Sequence, residues 1–153
     1  MAVTFEQHVD INATPETVWE LITDASKWPL WIEQMEQVEG LTEVAPGASF
    51  QWRQGNNSGT GAVLDVDQKR MALKLATRMG NDERHHTFDI DRSGGFLSVG
   101  AKDSRVRYTY AYDVPGGLLG NFVAGGNPAD AMRVKNTLQK LKRLAESVPQ
   151  VKN

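Results

Sequence analysis

Two adjacent histidines, His85 and His86, are the side chains best suited to proton transfer or metal binding. Neighbours on a strand point to opposite faces, so this pair cannot chelate one ion, and we expect no metal site. If Phe88 and Ile90 face the interior, Arg84 and His86 share their side. His86 is then a candidate for acid/base catalysis or hydrogen bonding in a cavity. The alternative is a histidine at the strand end, on the rim of the sheet.

Two pairs of carboxylates have the i, i+2 spacing that places both members on one face of a strand. Such pairs could hold a hard cation or perform general acid/base chemistry. Each pair lies opposite the apolar residues of its own strand, which favours a solvated outer face, where Arg105 and Arg107 could pair with acids across strands. The pairs are Asp65 with Asp67 and Asp89 with Asp91.

Aromatic residues alternate along two predicted strands, with Phe50 and Trp52 on one and Tyr108, Tyr110 and Tyr112 on the other. A concave face lined in this way predicts an apolar pocket with polar handles, because buried tyrosine hydroxyls need partners. Packing of the same rings into the core is the alternative.

The elements that must position these residues follow from periodicity. Alternation from Val3 to Ile11 predicts a first strand, and Thr14-Pro15-Glu16 predicts the start of an amphipathic helix of about ten residues. Pro29 disfavours helical geometry at Trp28, so a short second helix is expected to begin at Pro29. Asn127-Pro128 begins a long last helix with one apolar face and one basic face.

Between the helices, alternation interrupted by turn residues predicts an antiparallel meander. A turn at Gln68-Lys69-Arg70 is its weakest connection. The predicted strands are 35–43, 48–54, 60–68, 70–78, 84–92, 96–102 and 105–113.

Composition excludes several classes of protein. The 153 residues fit a single domain, 1–153, and the net charge of −2 gives no reason to expect a nucleic-acid partner. The basic face of the last helix is expected to be solvated. Absence of cysteine excludes disulfides and thiolate chemistry and fits a cytoplasmic protein. Because the first residues lack the pattern of an export signal and no apolar stretch is long enough to span a membrane, we expect neither export by a standard signal nor stable membrane insertion.

The order of these elements resembles the START-like superfamily, also called SRPBCC proteins, and within it the polyketide cyclase/dehydrase group. The resemblance covers residues 3 to 146 and is carried by INATPETVWELITDASKWPLW, PGASFQW, VRYTYAYDVPGGLLGNFV and VKNTLQKLKRLAES. It implies an α+β helix-grip fold, in which about seven antiparallel strands wrap around the C-terminal helix and enclose a ligand cavity. The first strand and the seven others exceed that number, so we expect an adjacent pair to merge.

The aromatic faces and the resemblance together predict binding or transport of a small hydrophobic or amphipathic ligand, such as a lipid or a polyketide-like aromatic, without a cofactor. The alternative is a cyclase, dehydratase or hydrolase that uses His86 or a tyrosine in the same cavity. A third possibility is a protein that acts through a partner. We expect a monomer or weak homodimer. The predicted ligand contacts are Trp31, Phe50, Trp52, Leu73, Leu75, His86, Phe88, Tyr108, Tyr110 and Leu138.

Two segments should border the cavity. In SKWPLW, Trp28 is expected to fix the junction of the two short helices to the core, while Trp31 is expected at the cavity entrance. The glycines between Gly116 and Gly126 match no phosphate-binding pattern and predict flexible closure of the cavity mouth.

Overall fold

The structure is a computed structural model, and it describes residues 2–91, 103–113 and 128–149. Three α-helices and seven strands make up this part of the chain, with a 3-10 turn at Ala25–Lys27. The helices are α1 (Pro15–Ile22), α2 (Trp28–Trp31) and α3 (Pro128–Ser147). The strands are β1 (Ala2–Ile11), β2 (Gln37–Glu39), β3 (Ser49–Gln54), β4 (Asn57–Asp67), β5 (Ala72–Met79), β6 (Asp82–Asp91) and β7 (Ser104–Asp113).

The strands form one antiparallel sheet in the order β1-β7-β6-β5-β4-β3-β2. Only the first strand leaves chain order, because it pairs with β7 instead of β2. The sheet is curved, and α3 packs against β1, β7 and the two short helices. This arrangement confirms the expected helix-grip fold. No helix in the described ranges is long and apolar enough to cross a bilayer.

Two predicted boundaries need correction. The strand expected at 35–43 is limited to β2, because Gly40 adopts a φ of +86°, outside the strand region. Helix α2 begins at Trp28, one residue before the expected start, with Pro29 in its first turn. The strand predicted at 96–102 and the glycine-rich segment lie outside the described residues.

The turn at residues 68–71 is confirmed. The Asp67 carboxylate accepts a hydrogen bond of 3.0 Å from the Arg70 amide. Met71 then takes a positive φ of 55°, which reverses the chain into β5. The cap of α1 is also confirmed, because the Thr14 hydroxyl accepts from the Thr17 amide at 3.2 Å.

The core lies between the sheet and α3. Inward-facing residues of the sheet form one buried cluster with the apolar stripe of α3, from which Val134, Leu138, Leu141 and Ala145 are buried. The predicted amphipathic face of this helix is therefore confirmed. Tyrosines and phenylalanines stack along the sheet, with the Phe88 and Tyr108 ring centroids 4.3 Å apart.

The two tryptophans of SKWPLW are both fully buried. Trp28 donates from Nε1 to the Ile22 carbonyl at 2.8 Å and meets the ring of Phe50 edge-on, which fits its predicted role at the helix junction. Trp31 packs edge-on against Phe88 with a centroid distance of 5.0 Å. The expected position of Trp31 at a cavity entrance is therefore wrong.

Candidate functional site

A cleft of about 100 Å³ opens where the inner face of the sheet meets α3. Strands β3 to β7 contribute most of its wall, the segment after α2 adds one residue, and α3 adds another. Alternation along the strands turns these side chains inward together. The lining residues are Gln34, Trp52, Gln54, Asn57, Thr77, Met79, Asp82, Arg84, Tyr110 and Arg133.

Arg84 is held on three sides within this cleft. Its Nε and Nη2 donate to the two carboxylate oxygens of Asp82 at 2.8 and 2.7 Å, and its Nη1 donates to the Tyr110 hydroxyl at 2.9 Å. The guanidinium carbon lies 3.8 Å from the centre of the Tyr112 ring. Burial acts to lower the pKa of Arg84, but the hydrogen bonds to Asp82 and the charge there outweigh it, so the pKa is raised.

Tyr110 presents its hydroxyl to the cleft. Arginine can only donate, so the phenol oxygen is the acceptor in the contact with Arg84. Within the described part of the chain, no acceptor takes the hydrogen of the Tyr110 hydroxyl. Burial raises the pKa of Tyr110, with nearby Arg84 opposing that shift, so the phenol is protonated at neutral pH.

Asp130 joins the first turn of α3 to the sheet. Its carboxylate accepts from the Tyr112 hydroxyl at 2.7 Å and from Arg133 Nη1 at 3.0 Å, and lies 3.8 Å from Arg84 Nη1. The side chain of Asp130 is 7% exposed. Two arginines and two aspartates therefore leave the cleft without net formal charge.

His86 lies behind the cleft and is fully buried. One ring nitrogen, Nδ1, is 2.7 Å from the Tyr108 hydroxyl, and the other, Nε2, is 2.8 Å from the Thr77 hydroxyl. The amide nitrogen of Gln34 lies 3.2 and 3.1 Å from these two atoms. The alternative of a histidine on the sheet rim is therefore wrong.

Burial lowers the pKa of His86 to about 3, and the neighbouring positive groups of His85, Arg84 and Arg133 add to that shift. The imidazole is therefore neutral at physiological pH, with one nitrogen as donor and the other as acceptor. Thr77 links it to the cleft, because the Thr77 hydroxyl both lines the cleft and contacts the ring.

The ten residues predicted to contact a ligand fall into two groups. Trp52 and Tyr110 line the cleft. The other eight are buried beside or behind it, and their contact with a ligand stays a prediction. They are Trp31, Phe50, Leu73, Leu75, His86, Phe88, Tyr108 and Leu138.

Sequence reasoning missed most of the polar side of the cleft. Thr77 interrupts the inward series Leu73, Leu75, Thr77, and a polar residue at an inward position could have drawn attention to it. Asp130 was interpreted only as an acid in the first turn of a helix. Nothing in the local pattern indicates that it reaches Tyr112.

The carboxylate pairs are not part of the site. Asp89 pairs with Arg107 at 3.1 Å on the outer face of the sheet, as expected, while Arg105 pairs with Asp10 of β1 at 2.8 Å. No group of three potential metal ligands occurs among residues 2–91, 103–113 and 128–149. His8 is exposed on β1.

A larger groove of about 330 Å³ runs along the outer side of β2, β3 and β4. Its polar walls are exposed side chains, including Gln37, Gln51, Arg53 and Thr60. Because these groups are already hydrated and do not converge with any buried polar group, we place the candidate site in the smaller inner cleft.

Comparison with known proteins identifies the family of the chain and agrees with its fold. A family model described as polyketide cyclase/dehydrase and lipid transport matches residues 2–146. No curated protein sequence matches the chain.

Three solved structures illustrate the shared fold. Norcoclaurine synthase from Thalictrum flavum is 13% identical, with a TM-score of 0.65 over 97% of this chain and 88% of that one. Ara h 8.0201 is 10% identical, with a TM-score of 0.69 over 97% and 100%. Zhui aromatase/cyclase from Streptomyces sp. R1128 is 16% identical, with a TM-score of 0.70 over 95% and 94%. At these identities the likeness concerns the fold alone.

Proposed function

Since this chain belongs to the polyketide cyclase/dehydrase and lipid transport family, we propose that it binds a small hydrophobic or amphipathic molecule in its inner cleft. The proposal rests on one observation. The Tyr110 hydroxyl and the Arg84 guanidinium converge, 2.9 Å apart, on a mostly polar cleft that also contains the rings of Trp52 and Tyr110. Small-molecule sites combine apolar surface with a few placed polar groups, and in this cleft Trp52, Met79 and Tyr110 supply the apolar surface.

The described cleft is short, so it would hold one end of such a molecule. A row of aromatic rings continues from Tyr110 along the sheet, with Tyr108 edge-on to Tyr110 and Phe88 stacked on Tyr108. Movement of the Trp52 ring, which is half-buried at the cleft wall, would extend the space toward β3.

Chemical-shift perturbation tests the proposal. Uniformly ¹⁵N-labelled protein is titrated with fatty acids, flavonoids and polyketide-like aromatics. We expect at least one compound to shift the amides of Thr77, Arg84 and Tyr110 and the side-chain amide of Gln54. Lys74, on the outer face of β5, is the internal control and should not shift.

The same titration can contradict the proposal. Shifts confined to the outer face of the sheet, or none at the cleft with any compound, would show that the cleft is not the binding site. Thr109→Val, which changes the outer face of β7 beside Tyr110, should bind as the wild type does.

Catalysis in the same cleft is the second candidate. It is favoured by the Tyr110 hydroxyl, which accepts from the charged Arg84 and is thereby a stronger hydrogen-bond donor toward a substrate oxygen. His86 is a poor general acid at neutral pH, because its pKa is lowered to about 3. If a panel compound is converted, Tyr110→Phe should abolish conversion, and unchanged turnover would remove this candidate.

We further propose that the protein acts without a cofactor, in the cytoplasm, as a monomer or weak homodimer that does not bind nucleic acid. The balanced charge and the absence of cysteine support this. Sedimentation at several concentrations would test the oligomeric state, and a stable higher oligomer would contradict it.

A further inference from the structure

Resting on the proposed function, we propose that the ligand presents an uncharged hydrogen-bond-accepting oxygen, such as that of a ketone, to the Tyr110 hydroxyl, and that Arg84 is the positioning residue for that hydroxyl.

The direction of the Tyr110 hydroxyl hydrogen follows from the contact of this hydroxyl with Arg84. A phenol oxygen carries one hydrogen and accepts through its lone pairs. Arg84 Nη1 donates to this oxygen at 2.9 Å, so the Tyr110 hydrogen must point away from Arg84. No acceptor receives it among the residues that the structure describes. Within the described ranges, this almost fully buried tyrosine is thus a donor without a partner, at the edge of the cleft that it lines.

The guanidinium of Arg84 is held in one orientation by its contacts. Both edges of its guanidinium are used, one by the two oxygens of Asp82 and the other by Tyr110. Its plane lies 3.8 Å from the Tyr112 ring centre. A bidentate, stacked arginine is held more rigidly than one in a single contact, so it fixes the side of Tyr110 from which the phenol oxygen is approached.

The charges around the cleft favour an uncharged ligand. Each arginine at the cleft has an aspartate partner, Arg84 with Asp82 and Arg133 with Asp130. A carboxylate placed beside Tyr110 would meet two positive charges that are already neutralised, and would lose its hydration without a net countercharge. A neutral carbonyl accepts the same hydrogen bond at a smaller desolvation cost.

Three probes of similar size separate these possibilities: 1-indanone, indane and indane-1-carboxylate. Their affinities are measured from the cleft amide shifts at pH 7 in the wild type, Tyr110→Phe and the control Thr109→Val. We expect the wild type to bind 1-indanone about twofold to tenfold more tightly than indane, which is the range of one net neutral hydrogen bond. The carboxylate should bind no better than indane.

Tyr110→Phe should reduce the ketone preference to about one while retaining the affinity for indane, and Thr109→Val should retain the preference. Equal binding of 1-indanone and indane by the wild type would overturn this inference but leave the proposed function intact. Preferred binding of the carboxylate would overturn it as well. Absence of cleft shifts with all three probes would contradict both proposals.

Arg84→Met tests the positioning role. The ketone preference should fall, and the same substitution in the Tyr110→Phe background should have no further effect on it. The ¹³Cζ resonance of Tyr110 gives a readout that a purely structural role would leave unchanged. Because Arg84 opposes the burial shift, its loss should move the Tyr110 titration to higher pH. An unchanged titration, or an additive double variant, would show that Arg84 does not act through Tyr110.

Discussion

The Nδ1 atom of His86 lies 2.7 Å from the hydroxyl oxygen of Tyr108, and both side chains are excluded from solvent. This contact, with that of Thr77 on the opposite ring nitrogen, satisfies an imidazole that would otherwise be isolated in an apolar interior. The hydrogen-bonded group of Tyr108, His86 and Thr77 therefore stabilises the core and also reaches the cleft, which Thr77 lines.

Acid should destabilise the protein through His86. The pKa of His86 falls from 6.5 to about 3 on folding, so the unfolded chain binds more protons in that interval. The stabilisation is fully present above about pH 6.5 and is lost as the pH falls toward 3, at up to about 1.4 kcal/mol per pH unit. The free energy of unfolding, measured with urea between pH 7.5 and 4.5, should fall less steeply with decreasing pH in His86→Gln than in the wild type.

The matched control is His8→Gln, which alters an exposed histidine on β1 and should retain the wild-type slope. Equal slopes in the wild type and His86→Gln would show that His86 does not titrate differently in the two states.

Removal of the Tyr108 hydroxyl should be costly without any change in ring packing. Tyr108→Phe leaves one nitrogen of a fully buried imidazole without its hydroxyl partner, and the expected loss is about 1–3 kcal/mol in the free energy of unfolding. Thr109→Val, the next residue on the outer face, should change it by less than about 0.5 kcal/mol. Urea denaturation measures both, and similar values would contradict the network.

The two tryptophans of SKWPLW should respond differently to replacement by phenylalanine. Trp28 Nε1 donates to the Ile22 carbonyl, whereas Trp31 Nε1 is buried without a partner in the described structure. We therefore expect Trp28→Phe to cost about 1–2 kcal/mol more than Trp31→Phe in urea unfolding. The reverse order would mean that Trp31 has a partner of its own.

Gly61 should not tolerate a side chain. A Cβ at this position would overlap the ring of Phe50 across the β3–β4 pair. Gly61→Ala should lower the free energy of unfolding by about 1–3 kcal/mol. The cost should be smaller in a Phe50→Leu background, because the leucine leaves room for the methyl group. Additive effects of the two substitutions would show that the ring is not the obstacle.

The sheet and its helices could be predicted from the sequence because their causes are local. Alternation specifies which residues of a strand face inward, and the Thr14 cap and Pro15 specify where α1 begins. The inward aromatics of β7 follow from period two alone.

The polar side of the cleft could not be predicted, because its geometry depends on residues far apart in the chain. Gln34 reaches His86 over a separation of 52 residues, and Arg84 reaches Tyr110 over 26. Local patterns also cannot distinguish a tryptophan in the core from one at a cavity entrance, since a large apolar side chain suits either position. Trp31 was misplaced for this reason.

The pairing of the first strand with the last one has a kinetic consequence. Asp10 and Arg105 are joined across β1 and β7, although 95 residues separate them along the chain. The chain must lose the entropy of closing that loop before β1 gains any partner in the sheet. Such a distant pairing forms more slowly than the hairpins between successive strands. During synthesis, β1 leaves the ribosome first but must wait until β7 has emerged, so its apolar residues stay unprotected until the sheet is almost complete.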